Sequence, residues 1–561
     1  MEKNKNNFFS NLKFDIPAGL VVFFVALPLC LGISLASTSY SGVENMEDFA
    51  GIVLPGLIAG IIGGIVVGSF SGSKFGVSGP AAGLITIVSA AIIEFGGFGN
   101  GGFEKFAMAV ALGGVIQFLL GVIKAGFVAY YIPFSVIKGM LAGIGITIFI
   151  KELPHFFGYD KDPEGDLVFQ QVDGENTFSE LLNAFDNIHI GATIVAIISI
   201  IILIVWGMKF VKQNKVLSLI PGPLLAILIS IGVAALLGGE YIIGGDHLVQ
   251  VPNNFAEIKG SMLSPIYSEA KGFHLPDFTL LGDAAIWKVA VVVALVASIE
   301  SLLCVEATDK MDPNKGRTPM NRELRAQGLG NLFSGLLGGL PITQVIVRST
   351  ANIGANAKSK SSAVIHGIFL LVFILAIPFV LNMIPRATLA AVLLLIGWKL
   401  ASPKSIIAMI KAGWQQFIPF FVVIAVMLTT DLLKGVGAGL VVAFIILLIK
   451  NFRVAYFIKA QDLGDDHDRS VMKSFHDKAV KEGAVELILT AHANFLNKAS
   501  IMKTLDEIKD GEKVYINLSR NMDMDYDIKE AINDFIAGAP DREITVEVSH
   551  PEKLEQVSLG H

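Results

Sequence analysis

The chain has 561 residues, 53% of them hydrophobic and only 16% charged, with a mean hydropathy of +0.64. That much apolar surface cannot be hidden in a water-soluble core, so a bilayer must solvate part of it. The net charge of −6 singles out no partner and no nucleic-acid partner is expected, while Cys30 and Cys304, both in apolar runs, leave no ligands for a disulfide framework or a metal cluster.

In chain order, residues 1–15 form a polar N-terminus, and the first apolar run, 16–36, leads straight into others. It reads as a retained first span rather than a cleaved signal. A bilayer-crossing helix needs roughly 20 apolar residues. Seven runs meet or approach that length before a long polar segment: 16–36, 52–70, 79–93, 106–124, 127–150, 190–207 and 216–237. Seven more follow it: 286–306, 324–340, 342–357, 363–381, 387–400, 417–430 and 435–449. The expectation is an α-helical polytopic membrane protein of 14 spans, arranged as 7+7 inverted repeats over about 16–237 and 286–449 inside a transport domain of 16–452. The 57 glycines suit such a bundle, because they let membrane helices approach closely and break where a site is needed.

Positive charge collects on cytoplasmic loops. With 14 crossings, Lys3, Lys5 and Lys13, then Lys209, Lys212 and Lys215, then Lys310, Lys315, Arg317, Arg322 and Arg325, then Lys450 and Arg453 all fall on one side. The acidic segment 160–186 and the segment 241–283 fall on the other, so both termini are expected in the cytoplasm. Beyond residue 452 a charged linker at 465–469 opens a soluble α/β domain, 453–561, with strands expected at 485–489, 514–518 and 544–548 and helices at 498–508 and 527–536.

Charges deep in hydrocarbon cost about 3 kcal/mol each on insertion scales, which makes them functional candidates. Glu300 and Arg348 are the two that stand out; a structural ion pair or a wet crevice is the plainer alternative. Glu94, Glu306 and Asp431 lie near span ends, where solvation accounts for them. His155, His189, His247, His274 and His366 are scattered, mostly near loops or span ends, and read as ordinary solvated histidines.

A second signal is chain breakage. Residues 71–80 (SGSKFGVSGP) and 338–341 (GGLP) each precede an unusually short run, the third of its group of seven. Interrupted segments at matched positions of two halves point to a binding site at the bilayer midplane. Helices starting near Pro80 and Ile342 would bring their N-terminal N–H groups to one spot, where the dipoles favour an anion. Ordinary kinked helices remain the alternative for either segment alone.

At these residues the chain resembles the SulP family of anion permeases, bacterial relatives of the animal sulfate and anion exchangers. The stretches that carry the resemblance are Ala26 to Pro28, Val77 to Pro80, Ile299 to Leu303, Gly316 to Pro319, Asn321 to Leu324, Gly338 to Pro341 and Arg348 to Asn352. The resemblance implies a core domain with two half-helices, a gate domain, a C-terminal STAS domain and a homodimer. It implies substrate contacts at Leu29, Ile33, Ser78, Gly79, Thr343 and Gln344 with Arg348 nearby, and a coupling-cation position at Glu300 and Cys304. Sodium-coupled bicarbonate relatives tend to carry Asp and a hydroxyl residue at those two positions, and very small residues near 342–345, so a proton is expected ahead of sodium. In the STAS-like segment, Asn517 stands where an Asp is usual and Arg520 follows Ser519 where a Gly is usual, which favours a scaffold over phosphoregulation.

The expected function is secondary active uptake of an inorganic oxyanion, sulfate before bicarbonate or a dicarboxylate, by alternating access in a bacterial inner membrane. A different class would be an anion channel or a membrane anion sensor. No enzyme and no cofactor are expected, since no phosphate loop, zinc ligand set or nucleophile with a placed base occurs. The expected partners are a small anion, membrane lipid and a second copy of the chain.

Overall fold

The computed structural model describes residues 11–39, 49–97, 101–161, 169, 175–213, 220–237, 241–249, 275–312, 316–453, 457–459, 481–489, 492–493, 498–519, 521, 523–524 and 526–554. Lys3, Lys5, Lys215, Lys315, His274, Arg520 and the linker 465–469 lie outside these residues, as do the side chains of Lys209, Lys212, Lys450 and Arg453. The chain divides into two compact units, Met1–Val441 and Val442–His561.

Each of the fourteen apolar runs contains a helix. In the first half these are α1 (Leu12–Ser39), α2 (Phe49–Ile62), α3 (Ile85–Glu94), α4 (Gly102–Val122), α5 (Phe134–Phe156), α6 (Ile190–Gly207) and α7 (Gly222–Leu236). In the second they are α8 (Ala284–Met311), α9 (Met320–Leu336), α10 (Ile346–Gly354), α11 (Ser361–Ala376), α12 (Arg386–Leu400), α13 (Trp414–Thr429) and α14 (Leu432–Arg453). Among the described residues, seven spans are long and apolar enough to cross a membrane, and five more helices are apolar but shorter. The two that fail both tests are α9, whose first turns carry Arg322, Glu323 and Arg325, and α10, which has nine residues.

Burial orders the helices from centre to rim. The most apolar window of α1 is 89% buried, whereas that of α6 is 28% buried. Along α6, Ile190, Ile194, Ile197, Ile201 and Ile204 stand exposed at a spacing of three to four residues. One apolar stripe without protein cover is what a lipid-facing helix presents.

The broadest helix contact in this unit joins α4 to α9. A Cβ on Gly114 would collide with the backbone of Leu332, one on Gly328 with that of Phe118, and one on Gly335 with that of Ala111. The two backbones touch because small residues face each other at helical spacing, the packing that replaces hydrophobic attraction inside lipid. This contact fixes α9, whose amide side chains reach the centre of the unit.

The second unit is a four-stranded sheet, β3 (Phe457–Lys459), β4 (Val485–Leu489), β5 (Lys513–Asn517) and β6 (Thr545–Val548), in that order. The last three run parallel and β3 joins antiparallel at the edge. Helices α15 (Lys498–Asp506) and α16 (Tyr526–Gly538) contribute Ile501, Leu505, Ile528 and Ile532 to a core with Leu487, Leu489, Val514 and Ile516. Three strands and both helices lie where periodicity put them; the three-residue β3 had no such signal.

Candidate functional site

Two three-residue strands, β1 (Ser78–Pro80) and β2 (Ile342–Gln344), cross antiparallel at the centre of the first unit, with Ser78 opposite Gln344, Gly79 opposite Thr343 and Pro80 opposite Ile342. Backbone bonds from Val345 N–H to Val77 O (2.9 Å) and from Ala81 N–H to Pro341 O (3.1 Å) lengthen the pairing at both ends. This corrects the expectation that helices begin near Pro80 and Ile342. Proline biases the residue before it toward extended backbone, and the β-branched Ile342, Thr343 and Val345 share that preference. Helical geometry therefore starts later, with a 3-10 turn at Ala82 leading into α3 on one side and at Ile346 on the other. The crossing joins α3 and α10 through their first residues.

Side chains of α8 and α9 hold the crossing. Asn331 makes a fork on one residue: its Nδ2 donates to Ile342 O (2.9 Å) and its Oδ1 accepts from Ile342 N–H (2.6 Å). The same amide nitrogen donates to Gln117 Oε1 on α4 at 2.7 Å. Gln327 Nε2 donates to Ser78 Oγ (2.7 Å) and to Glu323 Oε1 (3.0 Å). Glu323 Oε2 in turn accepts from Ser71 Oγ at 2.6 Å and Gly72 N–H at 3.1 Å. From α8, Ser301 Oγ accepts Gln344 N–H (3.3 Å), and Thr308 Oγ1 accepts from Gln344 Nε2 (3.0 Å). Gln117, Thr308, Gln327 and Asn331 were not singled out from the sequence, and Ser301 and Glu323 entered only as members of stretches that carry the resemblance. The available signal was a set of amide residues inside the apolar run 324–340.

Arg348 lies in the first turn of α10, fully buried, with its guanidinium pressed against Gly79, where any Cβ would overlap Nη1. Only glycine leaves that space. Its Nη2 donates to Cys30 Sγ at 3.2 Å, while Nε and Nη1 have no hydrogen-bond partner among the described residues. An unmet buried donor costs about 1–3 kcal/mol, and more when it belongs to a charged group. A buried guanidinium with two nitrogens unmet among the described residues can take further acceptors.

Glu300, buried on α8, faces the Gly83 N–H in the turn before α3 and the Thr343 hydroxyl on β2. Its Oε2 has no hydrogen-bond partner among the described residues. No ion pair joins Glu300 to Arg348; each meets the crossing through its own neighbours. Cys304, one turn further along α8, is buried with the Ile346 N–H toward its sulfur. Ile33 packs with Ala81, Leu84 and Ile342, and Leu29 is buried one turn earlier on α1. Ser78, Gly79, Thr343, Gln344, Arg348, Glu300 and Cys304 thus gather at or beside one crossing.

Other charged residues sort differently. Glu94, Glu306 and Asp431 pair with Lys288 (3.8 Å), Lys310 (3.2 Å) and Lys434 (2.8 Å). Two histidines read as solvated, His155 and His366, are buried instead, and His247 is half-buried. His155 and His247 each place Nδ1 2.7 Å from the buried Asp160 carboxylate, and His366 lies inside the bundle. A buried carboxylate outside the apolar runs supplied the partner that the scattered histidines seemed to lack. A crevice of about 480 Å³ is lined by Pro17, Trp206, Pro221, Thr350, Gly354 and Lys399, among others, at the far end of α10 from the crossing.

Comparison with known proteins agrees with this architecture. The profile of the "Sulfate permease family" matches residues 12–426. The "Putative sulfate transporter YvdB" of Bacillus subtilis is 28% identical over 84% of this chain and 79% of its own length. The "Bicarbonate transporter BicA" of Picosynechococcus sp. is 26% identical over 86% of this chain and 78% of its own. Among solved structures, SLC26A9 aligns over 97% of this chain and 85% of its own, with a TM-score of 0.64 at 15% identity. The transmembrane domain of a cyanobacterial BicA covers 78% of this chain and 98% of its own, with a TM-score of 0.50 at 23% identity. The helical membrane-transporter fold, the paired half-helices and a profile match over most of the length lead to one conclusion: the chain is a multi-pass membrane protein that belongs to the sulfate permease family.

Proposed function

We propose that this protein is a secondary active transporter that takes up an inorganic oxyanion, sulfate before bicarbonate, coupled to protons. The observation that carries the reading is the β1–β2 crossing, with the Arg348 guanidinium, two of its nitrogens unmet among the described residues, and the Glu300 carboxyl, one of its oxygens unmet, both beside it. An anion at Arg348 would supply the missing acceptors. A carboxylate sealed from water without a counter-ion needs a cation when the site closes, and Glu300 sits beside the crossing where it can take one. Interior-negative potential opposes anion entry by about 2.3 kcal/mol per charge per 100 mV, so uptake needs such a partner.

Leu29, Ile33, Ser78, Gly79, Thr343 and Gln344 would line the anion site, Glu300 and Cys304 the coupling site. The crevice reaching Thr350, Gly354 and Lys399 suits access from one face, and alternating access would move the crossing against α5 to α7 and α12 to α14. The bulk of Ile342 and Val345 and the thiol of Cys304 favour a proton over sodium. The likeness to YvdB supports sulfate; the likeness to BicA supports bicarbonate as the second reading. Both termini in the cytoplasm, an inner-membrane location, a homodimer and a STAS-like scaffold role for the second unit complete the proposal. In that unit the Ser519 hydroxyl donates to Asn517 Oδ1 at 2.6 Å, which suits a structural turn.

Proteoliposomes test it. Sulfate uptake driven by an inward proton gradient is expected in the parent and lost in Glu300→Gln, with exchange of sulfate for sulfate retained. Unchanged proton-driven uptake by that variant would overturn the coupling role.

A further inference from the structure

The least explained polar group in the first unit is His366. It shares the buried face of α11 with Ala363, Gly367, Leu370 and Ile374, is itself fully buried, and neither ring nitrogen has a hydrogen-bond partner among the described residues. Its neighbours say where that face points. Gly367 abuts Gly64 on the continuation of α2, and Leu370, one turn on from His366, reaches Gly60. Gly60 also has Cys30 Sγ and Arg348 Nη1 beside it. The packing thus leads from the His366 face through Leu370 and Gly60 to the guanidinium of Arg348.

Two groups from consecutive helices, linked by packing through Leu370 and Gly60, therefore share one condition. Among the described residues, Arg348 on α10 has two nitrogens without acceptors, and His366 on α11 has two ring nitrogens without a hydrogen-bond partner. Beyond the serines of its first turn, the other buried positions of α11 are Ala, Val, Gly, Leu and Ile, so an apolar residue at 366 would fold at lower cost. A partner that arrives from outside the chain accounts for both.

We infer that His366 is a second anion-contacting residue, donating an imidazole N–H to an oxygen of the oxyanion that Arg348 holds. The inference rests on the reading of Arg348 as the substrate's fixed cation. Donors that approach from two helices suit a polyatomic oxyanion, which offers separate oxygens to each, better than a spherical halide. His366 then sets the preference for oxyanion over chloride.

The test uses the purified full chain, with half-saturation read from thermal-shift titrations in sodium sulfate, sodium bicarbonate and sodium chloride and from uptake in proteoliposomes. His366→Leu is expected to raise the sulfate half-saturation about tenfold, the loss of one hydrogen bond to a charged acceptor, and to lower the sulfate-to-chloride preference by a similar factor. His366→Gln, which keeps an N–H donor, is expected to recover most of the affinity. His366→Met serves where the leucine variant does not fold. Parental half-saturation for sulfate and bicarbonate in a folded apolar variant, alongside its loss in Arg348→Gln, overturns the role of His366. Parental half-saturation in Arg348→Gln overturns instead the reading beneath it.

Discussion

Asp160 shows how a single side chain outside the membrane-spanning helices can organise its surroundings. Burial alone would raise its carboxyl, but hydrogen bonds from His155 and His247, with the attraction of His155 and Arg386, outweigh burial and hold it below its ordinary 3.8. His247 in turn stacks on His189 with ring centroids 4.4 Å apart, and burial followed by the charge of His247 pushes His189 down. The residue thereby ties the end of α5 to the segment 245–247 and to the first residue of α12. A depressed carboxyl contributes stability that is present above its unfolded value and lost as pH falls through its folded one. Asp160→Asn is therefore expected to destabilise the protein by about 1–3 kcal/mol near neutral pH. In thermal unfolding from pH 3 to 7, the gap between parent and variant should close at the acid end. A gap that widens toward low pH would contradict the sign. The sequence offered no route to this cluster, because His247 is brought to Asp160 by packing across 87 residues of chain.

At the scale of elements, most helices were legible because each run of apolar residues is long and its period is local. The crossing of β1 and β2 was legible only in part. Gly, Ser and Pro marked where the helices break, but strands of three residues carry no usable alternation, and their register is set by partners far along the chain. Asn331 and Gln327 were illegible for a related reason: in an apolar run an amide looks like a fault until the backbone it clamps is known. Both sit on α9, whose position depends on the glycine contact with α4. Gly328→Leu is expected to push α9 from α4, costing about 1–3 kcal/mol or more in overpacking and loosening the grip on Ile342 and Ser78. The check is thermal stability together with sulfate half-saturation, both of which should worsen. Gly232→Ala on α7, where a Cβ meets nothing within 4 Å, should leave the fold intact and gain slightly in helix propensity. Equal tolerance at both positions would mean that the α4–α9 contact does not position the site.

For the whole molecule, the proposed chemistry has a consequence in net charge. Glu300 is the carboxyl beside the crossing with an oxygen left unpartnered, so the geometry offers one protonation per cycle at this position. Arg348 stays on the protein and moves no net charge over a complete cycle. A dianion such as sulfate carried with one proton then brings one negative charge inward. Interior-negative potential opposes that by about 2.3 kcal/mol per 100 mV, a factor of about fifty in the equilibrium accumulation ratio. A monoanion carried with one proton would move no charge and feel no potential. Proteoliposomes with a fixed proton gradient and a potassium diffusion potential set with valinomycin separate the cases. Sulfate accumulation is expected to fall about fiftyfold when the interior is made 100 mV more negative. Indifference to potential would require a second proton for each sulfate and hence a titrating group besides Glu300. Loss of proton-driven uptake in Glu300→Gln, together with the roughly fiftyfold response to potential in the parent, keeps the stoichiometry at one proton per sulfate.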